Sequence, residues 1–68
     1  MDYTQAIRSL TRGMKHEVVG DGRYALVVKR SRLMTLYCFN SKELAIEEMY
    51  KRPSVKDYVY DLETEERV

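Results

Sequence analysis

Two apolar runs, YALVV at 24–28 and LMTLYCF at 33–39, constrain this chain more than any other feature. Side chains alternate between the two sides of a strand. In the later run one side carries Leu33, Thr35, Tyr37 and Phe39, and the other Met34, Leu36 and Cys38. In the earlier run Tyr24, Leu26 and Val28 oppose Ala25 and Val27. Both sides of both strands are apolar, so each needs cover on two faces. The fold must supply two apolar layers or leave one for another molecule.

The cover has to come from helices on either side of these runs. Tyr3, Ala6, Ile7, Leu10 and Met14 have the spacing of one helical face. Asp2 with Gln5 predicts the start of that helix, and Gly13 its end. A second helix is predicted from Asn40 as N-cap, with Glu43 in a capping box and Phe39 stapled to Leu44. Pro53 stops it after Arg52. Strands are expected at about 16–19, 23–30, 32–39 and 55–62, with Gly20-Asp21-Gly22 turning between the first two. Arg30-Ser31 lacks the Gly, Asn or Asp of a tight primed turn, which predicts a longer loop there.

The expected fold is therefore a single α+β domain over 1–68, in the order α-β-β-β-α-β. It is an antiparallel meander with both helices packed on the sheet. In the last strand Tyr58, Tyr60 and Leu62 oppose Val55, Asp57, Val59 and Asp61. That mixed side places the strand at an edge and favours the two helices sharing one face, which leaves the other apolar face for a partner.

A chain of 68 residues buries only about 60% of the surface its unfolded form exposes. With one cysteine, Cys38, and one histidine, His16, it has neither an internal disulfide nor a Cys/His metal set. No cofactor motif is present, and no metal or cofactor is expected. No apolar run is long enough to span a bilayer, and MDYTQAIRSL lacks the pattern of an export signal. With the lone thiol, this points to the cytoplasm.

The net charge of +1 conceals an asymmetry. Residues 1–40 carry seven Lys/Arg against three Asp/Glu, and residues 41–68 carry five against eight. Arg8, Arg12, Lys15, Lys29, Arg30 and Arg32, with Arg23 and His16, form a basic patch if the first helix and the hairpin tip meet. Such a patch contacts the phosphates of nucleic acid. The competing reading is a solvated helix face and a solvated turn, which the near-zero net charge favours.

The chain has six tyrosines and no tryptophan, a composition suited to interfaces. Tyr24, Tyr37 and Tyr50 also fit as core residues whose hydroxyls reach the rim. Tyr37, Tyr58, Tyr60 and Leu62 are the candidate partner-binding set. Cys38 with His16 as base is a conceivable nucleophile, although a strand cysteine is ordinarily a small apolar residue. Asp57 and Asp61 share one side of a strand and read as a solvated edge. The element order and SKELA at 41–45 resemble the double-stranded RNA-binding domain. That family places several lysines at the start of its second helix to bridge phosphates, whereas here Lys42 stands among glutamates that repel them. The likeness lies in element order: Glu43, Glu47 and Glu48 follow Lys42, and Gly20-Asp21-Gly22 stands where the family has a histidine-bearing loop.

A non-catalytic protein-binding module that self-associates as a homodimer is the primary expectation. In size and style the chain resembles the small accessory proteins that phages and mobile elements use to modulate a host protein. Nucleic-acid binding through the basic patch is the alternative.

Overall fold

The computed structural model describes residues 2–68. Helix α1 spans Thr4–Leu10, followed by strands β1 (Lys15–Val19), β2 (Tyr24–Arg30) and β3 (Leu33–Phe39). Helix α2 (Lys42–Lys51) leads to β4 (Tyr58–Asp61) and a two-residue β5 (Glu66–Arg67). This is the α+β domain and element order expected, with β5 added at the end.

The sheet is not a pure antiparallel meander. Its order is β1-β3-β2-β4-β5. Strand β1 pairs with β3, in parallel, with Lys15 opposite Leu33 and Val19 opposite Tyr37. The loop after β1 does not close a hairpin. It carries the chain across the end of β3 so that β2 begins on the other side. Two glycines permit the crossing. A Cβ on Gly22 would lie 2.1 Å from the Phe39 carbonyl carbon, and one on Gly20 would lie 2.6 Å from the Cys38 oxygen. Gly20 also has φ +85°, a conformation that costs glycine nothing sterically.

Helices α1 and α2 lie on opposite faces, not on a shared one. Under α1, Ala6 meets Ala25, Val27, Met34, Leu36 and Leu62, flanked by Ile7, Leu10, Met14, Tyr58 and Tyr60. Under α2, Ala45 meets Leu26, Val28 and Val59, flanked by Tyr24, Tyr37, Phe39, Ile46 and Met49. The alternation within β2 and β3 thus feeds two cores. Complete burial of Leu26, Met34, Leu36 and Val27 stabilises the fold by roughly 1.5–3 kcal/mol each. Strands β3 and β4 both run antiparallel to β2, so α2 is a crossover that lies above β2.

Local signals shift by one residue where the sheet demands it. Phe39 stays in β3, paired with Tyr24, so Ser41 and not Asn40 caps α2. Its hydroxyl accepts from the Leu44 amide at 3.4 Å. The Phe39–Leu44 staple is lost, and Leu44 is exposed. The β2–β3 loop is tight: Arg30 pairs with Leu33, leaving only Ser31 and Arg32. Ser31 takes φ +44°, because the apolar register along seven paired positions outweighs the cost of one left-handed serine. The last strand is shorter than expected and is interior, between β2 and β5.

Candidate functional site

Three features could engage another molecule: the outer strand β1, the tyrosines, and the basic residues at one end of the sheet. Among the described residues strand β1 borders only β3, so its other side is open. All five of its residues are exposed. Val18 (42%) faces the α1 side with its neighbour Leu36, and Val19 (50%) faces the α2 side with Tyr37. An edge that presents unpaired backbone groups and two valines is a template for another strand.

The four residues of the tyrosine set do not converge. Tyr37 faces α2, whereas Tyr58, Tyr60 and Leu62 face α1. Leu62 is a core residue at 2% exposure. The guanidinium of Arg52 sits 4.7 Å from the Tyr37 ring centre, and that of Arg67 sits 4.1 Å from Tyr58. Each ring is thus already covered by a cation. Burial, with Glu65 nearby, pushes the Tyr60 phenol pKa up. Of the three tyrosines read as core, Tyr24 and Tyr37 are half-buried, whereas Tyr50 is 78% exposed.

The basic residues do converge. Strands β1 and β3 both start, and β2 ends, at the same end of the sheet, where α1 also runs out. Arg8, Arg12 and His16 line one concavity with Gly13 and Met14. Lys15, Ser31 and Arg32 line a second, which shares Gly13 and Met14 with the first. Lys29 and Arg30 complete this end on the last residues of β2. Lys42 is at the other end, beyond Phe39. That opposite end is acidic, with Asp2, Asp21, Asp61, Glu63, Glu65 and Glu66.

Asp61 is not a solvated edge acid. It is buried, and Arg23 grips it with two hydrogen bonds of 2.8 Å, from Nε and from Nη2. Its Oδ1 also accepts from the Glu63 amide at 2.9 Å. The Arg23 guanidinium, then the Glu63 and Thr64 amides, hold its pKa down at about 2. Asp57 lies outside the strand and lines a cleft with Arg52, Tyr50 and Val55. His16 pairs with Met34, and Cys38 is four residues further along β3, roughly 13 Å away. The two do not form a dyad, and burial pushes the Cys38 thiol up.

Comparison with protein-family models, with curated proteins and with solved structures finds no match to this chain. Among the described residues no group of three or more His, Cys, Asp or Glu is placed to hold a metal ion. No helix among them is long and apolar enough to cross a membrane.

Sequence reasoning anticipated the basic patch as a condition on helix and hairpin meeting. It missed the β1 edge and the Arg23–Asp61 clamp. The edge had a weak signal: KHEVV places two adjacent valines on opposite faces without alternation. The clamp joins residues 38 apart and had none.

Proposed function

We propose that the protein is a small, non-catalytic, cytoplasmic binding module that acts through protein–protein contact, and that its first partner is a second copy of itself joined along β1. One observation carries this reading: the open edge of β1, with Val18 and Val19 exposed on its two faces. Two such edges pair antiparallel about a two-fold axis normal to the sheet. That arrangement sets the basic end of one copy beside the acidic end of the other. The apolar sheet faces, each covered by a helix, are not part of this surface. Modulation of a host protein, in the manner of a phage accessory protein, would use the same edge by strand addition, and so would compete with the dimer.

Sedimentation equilibrium between 10 and 200 μM tests the reading, at concentrations of about the order at which weak edge contacts form. A dimer is expected, converted to monomer by Val18→Lys with Val19→Lys. A native chain that stays monomeric throughout, or a dimer indifferent to both lysines, would overturn it.

A further inference from the structure

We infer that the basic end of the sheet is a binding surface for the phosphate backbone of nucleic acid. Three separate segments deliver cations to it: Arg8 and Arg12 from α1 and its exit, Lys15 from β1, and Lys29, Arg30 and Arg32 from the β2–β3 tip. The two concavities between them share Gly13 and Met14, so the surface is one continuous trough across the end of the fold. All six Lys and Arg side chains are exposed. Among the described residues the ion pairs within 4.0 Å are Arg23–Asp61, Arg23–Glu63 and Lys51–Glu47. None involves this cluster. The carboxylates nearest this end are Glu17, on β1 opposite Thr35, and Asp57, which sits on the α2 side with Arg52; neither is ion-paired to the cluster.

A net charge of +1 does not argue against such a site, because the two ends are too far apart to cancel. The seven residues of β2 rise roughly 20 Å from the acidic end to the basic one. The screening length at physiological salt is about 8 Å. A ligand at the basic end feels clustered cations and little of the acids beyond.

The chemistry of the trough fits phosphate. Three of the cations that line it, Arg8, Arg12 and Arg32, are arginines, whose planar fork suits phosphate oxygens. Ser9 and Ser31 lie among them as hydroxyl donors. The shared floor is open as well, since a Cβ built on Gly13 would meet nothing within 4 Å. A phosphodiester chain can therefore approach the backbone closely there. No base-reading element enters the trough, so the contact is indifferent to sequence.

The test is fluorescence anisotropy with labelled 20-base-pair DNA and RNA duplexes from 20 to 300 mM salt, on the full chain. With about four phosphates neutralised, affinity is expected to fall roughly 100-fold between 50 and 200 mM salt. Arg12→Ala with Arg32→Ala should weaken binding at 50 mM about tenfold and lower the salt slope by about two. Lys42→Ala, at the other end, should leave both nearly unchanged. Circular dichroism verifies that each variant is folded. Failure of both duplexes to bind at 20 mM would overturn the inference. So would equal losses from Lys42→Ala and Arg12→Ala, or tighter binding to poly-glutamate than to either duplex. Repeating the titration with Val18→Ser/Val19→Ser separates this surface from the β1 dimer, because those changes add no charge beside the trough.

Discussion

Replacing Asp61 with asparagine removes one negative charge and keeps the shape of the side chain. In the native protein the carboxylate accepts two hydrogen bonds from Arg23 and one each from the Glu63 and Thr64 amides. Its pKa falls from the ordinary 3.8 to about 2. Taken in full, that difference is worth about 2.4 kcal/mol of folding stability at neutral pH. The full value is too large, because Arg23 remains 34% exposed and water screens the pair. About 1–1.5 kcal/mol is the expected cost of Asp61→Asn at pH 7.

The pH dependence follows from the direction of the shift. The folded protein binds its proton at lower pH than the unfolded chain does. The stabilisation is therefore complete above about pH 4 and disappears as pH falls towards 2. Urea unfolding followed by circular dichroism at pH 7, and at steps from pH 5 to 2, measures both effects. Across the acid window the native protein should lose about 1–1.5 kcal/mol more than the variant, because Asp2 and Glu43, also held below their ordinary pKa by hydrogen bonds, titrate in both. Asp61→Ala should cost more than Asp61→Asn, because it also strips the two amides of their acceptor. A loss below about 0.3 kcal/mol for Asp61→Asn at pH 7, or identical acid slopes for the two proteins, would refute the reasoning.

Three further outcomes are expected. Gly22→Ala forces a methyl group against the Phe39 carbonyl, 2.1 Å away, and should cost about 3 kcal/mol or abolish folding, read by the urea midpoint. Ser31→Gly should stabilise by about 0.5–1 kcal/mol, because glycine takes the φ of +44° without steric penalty and loses only part of that gain to chain entropy. Leu26→Ala, under α2, and Leu36→Ala, under α1, are both fully buried sites and should each cost about 3 kcal/mol. A cost for Leu36→Ala below 1 kcal/mol would mean that the α1 layer is not a true core.

The elements were legible in the sequence because their signals are local. The 3.6-residue spacing of Tyr3, Ala6, Ile7 and Leu10 needs no tertiary partner to be read. Neither does the stop at Pro53. The double-sided apolarity of 24–28 and 33–39 was legible too, and it demanded the two layers that α1 and α2 supply. What the sequence concealed was which side each helix takes, since α1 is tied to the sheet only through β1. The mixed side of 55–62 favoured a shared face, but Val55 and Asp57 lie outside β4 and β4 is interior. The tyrosine set divides for a related reason: Tyr37 belongs to one layer and Tyr58, Tyr60 and Leu62 to the other. Their long-range partners, Arg52 and Arg67, carry no sequence mark.

The two proposed surfaces share one structural origin. Gly20-Asp21-Gly22 resembles a hairpin turn, yet its glycines press against the backbone of Cys38, Phe39 and Asn40. They let the chain pass the end of β3. That passage puts β1 on the outside of the sheet, where Val18 and Val19 lie open. The parallel pairing it imposes also sets Lys15 opposite Leu33, next to Arg32, and brings Gly13 and Met14, beyond the end of α1, beside the hairpin tip. A hairpin between β1 and β2 would have taken the side of β2 that β4 occupies and left β3 as the edge. It would have parted Lys15 from Leu33 by the width of a strand. The open edge and the cationic trough therefore stand or fall with the same crossing. If a Gly22→Ala chain still folds, loss of both the dimer and duplex binding is expected while α2 and its core survive.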